Sequence, residues 1–178
     1  MLNHRLTRRL ATLFGLLAML GATGATGVRA AGPAPLPTID VYMPTVCLAC
    51  IDWAEHLRKN GFTVKVTQTN DMEAVKRRLK VPKELEAVPS AKVAGYFIEG
   101  HVHADQIKEL LTEKPKALGL AVPGLPLGAP GREYSAPTCE TACTMLDNDS
   151  TATPRVRREF YTTFLVKPDG STSTYARH

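Results

Sequence analysis

Two cysteines spaced C-x-x-C, Cys47 and Cys50, are the residues best suited to chemistry in this chain of 178 amino acids. A strand-like run, Thr38 to Met43, precedes them, and a helix-like run, Ala54 to Asn60, follows. That junction places the first thiol at a helix N-terminus, where unpaired N–H groups and the helix dipole favour the thiolate. A thiolate pair there can exchange disulfides or hold a soft metal ion, and the pattern leaves both open. In the first case Cys47 attacks and Cys50 resolves the mixed disulfide; in the second both are ligands. An inert structural disulfide is the third reading, though so short a loop adds little stability in the chain-entropy model.

Three further groups could contribute. Cys139 and Cys143 sit in a polar stretch, free to join Cys47 and Cys50 in a four-thiolate site, to act as a second exchange pair, or to close a local disulfide. His101 and His103, two apart on an expected strand, would share a face and form an H-x-H site for copper or zinc; alternatively they are surface or capping residues, with His103 placed to cap the next helix. His56 is expected on the exposed side of the first helix, and Trp53 beneath the cysteine loop. The basic run Lys76, Arg77, Arg78 and Lys80 reads as a solvated helix face. Asn148-Asp149-Ser150 matches a glycosylation sequon, a three-residue pattern to which no functional weight is given.

The bulk properties set the context. Residues 1–9 carry Arg5, Arg8 and Arg9 without an acid, an apolar run follows from Leu10, and Val28-Arg29-Ala30 offers a cleavage site. This reads as a secretory signal over residues 1–30, its apolar run too short for a stable span. Cleavage there removes four arginines and no acid, taking the net charge from +5 to +1. A near-neutral chain poor in aromatic residues gives no electrostatic case for nucleic acid. Export to the periplasm or beyond is expected, where disulfides form and a thiol or disulfide partner protein is available. After a leader at 31–37, residues 38–178 suit a single domain, with a polar Cys-containing insert at about 132–158. No organic cofactor is expected.

The elements that must position Cys47 and Cys50 follow from the hydrophobic pattern. A strand at 38–43 ends at Pro44. Helix 1 buries Trp53, Ala54 and Leu57 and closes at Asn60-Gly61. Phe62, Val64 and Val66 alternate with polar residues as a half-buried strand. Asn70 caps a second helix with Met72, Val75 and Leu79 inward, stopped by Val81-Pro82. A strand spans Lys92 to Ile98, and Glu99-Gly100 makes a tight turn into His101-Val102. Helix 3 runs from about Ala104 to Glu113. The Gly- and Pro-rich stretch 119–131 implies a surface loop rather than helix or central strand. Phe160 to Val166 and Ser171 to Tyr175 close the chain as a hairpin through Pro168-Asp169-Gly170.

Strand–helix–strand–helix–strand–strand–helix is the order of a thioredoxin-like α/β core, a central mixed sheet flanked by helices, with the cysteine pair in the thioredoxin position. In such proteins a cis-proline precedes the third core strand and faces the cysteines. Pro89, just before Lys92, stands there, and a cis Val88–Pro89 bond is expected. In a redox enzyme of this kind Cys47, Cys50 and Pro89 would be the catalytic residues.

The segments Gly95-Tyr96-Phe97-Ile98-Glu99-Gly100-His101-Val102 and Gly119-Leu120-Ala121-Val122-Pro123-Gly124 resemble the CopG-like family of small exported copper-resistance proteins. The resemblance runs from about Ile39 to Glu133. It implies a thioredoxin-like fold, a periplasmic location and Cu(I) bound by clustered cysteines. Several of the family's ligand positions are replaced. The middle cysteine of Cys-Gly-Cys-Cys is Ala49, Cys-His-Thr is Val88-Pro89-Ser90, and loop methionines are Leu125 and Arg132. A proline is usual where His103 stands. The reading is therefore an exported protein that handles a soft metal, copper before zinc, or alternatively a thiol–disulfide oxidoreductase.

Overall fold

A computed structural model describes residues 35–133 and 158–178. Among these, seven strands form one mixed sheet in the order β2-β1-β3-β4-β5-β6-β7. The chain runs β1 (Ile39–Met43), α1 (Leu48–Lys59), β2 (Val64–Gln68), α2 (Met72–Leu79), a 3-10 turn (Lys83–Leu85), β3 (Ser90–Val93), β4 (Tyr96–Glu99), α3 (Ala104–Glu113), β5 (Gly119–Ala121), β6 (Thr162–Val166) and β7 (Thr172–Arg177). β1 and β2 are parallel, and β3 returns antiparallel beside β1. This is the expected thioredoxin-like core, extended at one edge by β5 and the closing hairpin β6–β7.

The two-residue period of the strands sorts side chains onto two faces. One row crosses the sheet through Val41, Ala91, Ile98, Leu120 and Leu165, paired strand to strand. With Ile39 and Met43 it meets Trp53, Ala54 and Leu57 of α1 and Ile107 and Leu110 of α3, forming the larger core. The neighbouring row, Tyr42, Ser90, Glu99, Ala121 and Phe164, faces the other way, toward α2. There a smaller cluster holds Leu85, Phe97, Ala121 and Val166, with Leu79 and Leu118 against it.

Several expectations are corrected. The segment 92–98 is two strands, because Ala94 (φ 46°) and Gly95 (φ 95°) supply the paired positive φ angles of a tight hairpin turn. Glu99-Gly100 instead ends β4. Gly119 to Ala121 is a buried strand within the sheet, although a Gly/Pro loop was expected on the surface. The absence of a side chain explains it: a Cβ on Gly119 would lie 2.0 Å from the Phe97 carbonyl oxygen. Much of the stretch beyond it, including Val122 and Ala129, is also buried. β2 is an edge strand with Val66 exposed, not half-buried. The cap of α2 is Asp71, which accepts from the Ala74 N–H at 2.9 Å, one residue beyond Asn70. The segment 101–103 is not a strand.

Candidate functional site

The end of β1 delivers the chain to Cys47, the N-cap of α1, whose Sγ accepts from the Cys50 N–H at 3.3 Å. Cys47 and Cys50 are joined in a disulfide with Cα atoms 5.3 Å apart. Cys50 is fully buried and Cys47 nearly so, while Val46, Leu48 and Ile51 around them stand in solvent. The sulfurs are thus covered within an exposed apolar rim. Trp53, one turn further along α1 and fully buried, donates its indole N–H to the Val102 carbonyl at 2.8 Å.

Three segments close around this end of the sheet. Val88–Pro89 is cis. Tyr42 pairs with Ser90, so Pro89 lies at the end of β1 from which the cysteine loop leaves, and Val88 packs against the core holding both cysteines. The loop at Gly131 presses on the first turns of α1; a Cβ there would come 2.7 Å from the Ala49 carbonyl oxygen. Its φ of 79° also favours glycine.

His101 completes the set. Its Nδ1 lies 2.6 Å from the Pro130 carbonyl oxygen, which can only accept, so Nδ1 carries the proton and Nε2 holds the lone pair. That Nε2 is buried without a hydrogen-bond partner. Burial pulls the ring's pKa down to about 4; the Pro130 and Val88 backbone and Asp52 oppose this, and Arg132 adds to it. The ring stands 6.3 Å from that of Trp53. His101 is therefore neutral at pH 7, its Nδ1–H anchored on a carbonyl in the manner of metal-binding histidines.

His103 goes elsewhere. Its Nε2 is 2.8 Å from the Tyr161 hydroxyl, and its ring stacks on that of His178 at 4.7 Å. Burial first, then His178 and His56, lower its pKa to about 4. His101 and His103 thus enter different surroundings, and no shared H-x-H face forms. His103 occupies the N-cap of α3 but its side chain caps nothing. The capping is done by His56 from α1, whose Nε2 accepts from the Ala104 N–H at 3.1 Å, so His56 is half-buried rather than exposed.

The basic run also needs correction. Lys76 is buried, with Nζ 2.8 Å from a carboxylate oxygen of Glu99. Burial pushes the Glu99 carboxyl up, against the pull of Lys76. Sequence reading missed this pair. The signal was there: Lys76 lies four residues after Met72 on the inward stripe of α2, and Glu99 follows the apolar run Tyr96 to Ile98. Cys139, Cys143 and Asn148 lie outside the described residues. Among the described residues no group of three or more His, Cys, Asp or Glu side chains converges as a metal site.

Two solved structures match over nearly their whole length. The first, described as "Copper resistance protein copG- Form 1", is 32% identical, covers 80% of this chain and 98% of its own, and has a TM-score of 0.64. The second, "Copper resistance protein copG- Form 2", is 34% identical, covers 82% and 99%, and has a TM-score of 0.66. The chain belongs to the CopG-like family. The profile of a family described as "Protein of unknown function, DUF411" matches residues 86–132, the segment from the buried pair's surroundings to Arg132. No curated protein matches.

Against its CopG-like relatives the fit of this site to metal can be judged from its donors. Cys47, Cys50 and the free Nε2 of His101 are donor types suited to one soft ion, although with the disulfide closed they do not converge as a preformed site. Among the described residues the donors do not extend to a multi-metal cluster. Ala49 is fully buried and offers no sulfur, and Arg132 is a nearly buried guanidinium whose Nε and Nη1 lack partners. A cation held beside His101 opposes the gathering of further cations.

Proposed function

We propose that the protein is exported to the periplasm and handles copper, binding a single Cu(I) ion through Cys47 and Cys50, with His101 as a third donor. The observation that carries this reading is His101: a neutral, anchored imidazole with an unpartnered Nε2 at the end of the sheet occupied by the two cysteines. The copper-resistance descriptions of its CopG-like relatives support the choice of ion.

Binding requires the disulfide to open. A partner dithiol supplies two electrons and two protons, becomes a disulfide itself, and leaves Cys47 and Cys50 as thiols. Cu(I) then displaces the thiol protons. The soft thiolates select Cu(I) over harder ions, zinc being the weaker competitor. Anaerobic titration of the reduced protein with Cu(I) against a chromophoric chelator tests this. One tightly bound ion per chain is expected, retained in Cys139→Ser/Cys143→Ser and lost in Cys47→Ser/Cys50→Ser. Equal affinity in the latter variant overturns the site.

A second reading, a thiol–disulfide oxidoreductase, draws on the disulfide at the N-terminus of α1. Catalytic reduction of insulin disulfides is its assay. No turnover by wild type removes it.

A further inference from the structure

Lys76 and Glu99 lie on the α2 side of the sheet, away from the cysteines, yet they grip the chain that runs to them. Glu99 ends β4 and is fully buried; Lys76 comes from α2 and is nearly so. Burying two charges costs more than their mutual attraction returns unless their remaining donors and acceptors are used. Here one Glu99 oxygen and the Lys76 ammonium are used on one residue, while the second Glu99 oxygen, Oε2, is buried without a partner. The Glu99 oxygen that pairs with Lys76 also accepts from the Ala87 N–H at 2.7 Å, and the Lys76 ammonium donates to the Ala87 carbonyl. Glu86 stands 4.0 Å from the same ammonium.

Ala87 lies between the 3-10 turn and β3, where its only strand-like contact is an isolated bridge to Gly124. Both of its backbone groups are therefore held by the ion pair rather than by a ladder. The next two residues are Val88, packed on the core that holds Cys47 and Cys50, and Pro89, whose carbonyl accepts from the Gly100 N–H at 2.8 Å. A cramp on Ala87 thus fixes, from the opposite face of the sheet, the segment that reaches the cysteine end.

We propose that Lys76 and Glu99 are positioning residues for the Cys47–Cys50 site, holding Val88-Pro89 down and limiting access to the disulfide. This deepens the function proposed above and rests on that pair being the working site.

The test is the rate at which dithiothreitol reduces Cys47–Cys50, read by alkylation and mass spectrometry of the peptide containing both, with no copper present. The double variant Lys76→Met/Glu99→Leu removes both charges, a replacement that buried ion pairs tolerate. It is expected to be reduced about tenfold faster than wild type. Glu99→Gln keeps an acceptor for the Ala87 N–H and should stay within about threefold. Val75→Ala, which trims a buried side chain of α2 while keeping both charges, should leave the rate unchanged. If that double variant does not fold, Lys76→Leu/Glu99→Met, the other charge-free pairing, carries the same expectation through the lost Ala87 contacts. A folded charge-free variant reduced at the wild-type rate, or an equal acceleration in Val75→Ala, overturns the role. Because copper is absent, a protein that binds no Cu(I) still decides this question, and tight Cu(I) binding cannot rescue it.

Discussion

His101 and His103 are two residues apart and have opposite fates. His101 is fully buried, its proton fixed on Nδ1 by the Pro130 carbonyl and its Nε2 unpartnered. His103 is half-buried at the surface, its Nε2 on Tyr161 and its ring in a stack with His178. Neither is protonated at neutral pH, because burial holds both near 4. The difference is in what each nitrogen has left to give. A histidine joins a reactive site when the surroundings satisfy one nitrogen and neglect the other, and low pKa alone does not make the distinction.

Alanine substitution should break the comparison most sharply. His101→Ala leaves a cavity and orphans the Pro130 carbonyl, a loss of about 3 kcal/mol by urea unfolding. It should also weaken Cu(I) binding about tenfold or more. His103→Ala should cost about 1 kcal/mol and leave Cu(I) affinity within twofold. Equal effects of the two on Cu(I) would dissolve the distinction.

Acid should move both residues together. Each has a folded pKa near 4, below the ordinary value of 6.5, so between those values the unfolded chain binds protons that the folded chain refuses. Their stabilisation is full above about pH 6.5 and is lost as the pH falls toward 4. Urea midpoints measured from pH 7 to 4 should therefore decline, and His103→Gln should flatten part of that slope while His101 keeps the rest. A slope untouched by His103→Gln would place the effect elsewhere.

The smallest expected effect is that of Tyr161→Phe. It removes the hydroxyl bonded to His103 and should cost about 1 kcal/mol. Dithiothreitol reduction of Cys47–Cys50 should not change, since the stack of His103, Tyr161 and His178 is not part of the cysteine end. A changed rate would join the two regions that the structure keeps apart.

The core order of strands and helices was legible because each element carries its own period: Trp53, Ala54 and Leu57 on α1, Ile107 and Leu110 on α3. So was the cysteine pair, a short-range pattern at a strand–helix junction, and Pro89 before β3. The errors arose where long-range contacts decide. Gly119 reads as a loop residue, yet it is a strand residue because Phe97 passes too close for a side chain. Lys76 reads as solvent-facing among Arg77 and Arg78, yet Glu99, twenty-three residues on, draws it inward. His56 caps a helix other than its own, a partnership that no local motif encodes.

Trp53 is the only tryptophan in the chain, and its place gives the protein an internal gauge. The indole is sealed from water, three residues from Cys50, and stands one ring away from His101. Sulfur and imidazole neighbours at that range quench an excited indole to different degrees as they lose a disulfide, take a proton or accept a metal ion. Emission intensity should thus follow the state of the cysteine end without any added label. The wavelength maximum stays blue while the fold holds, so opening the disulfide and opening the fold give separate optical signals from one side chain.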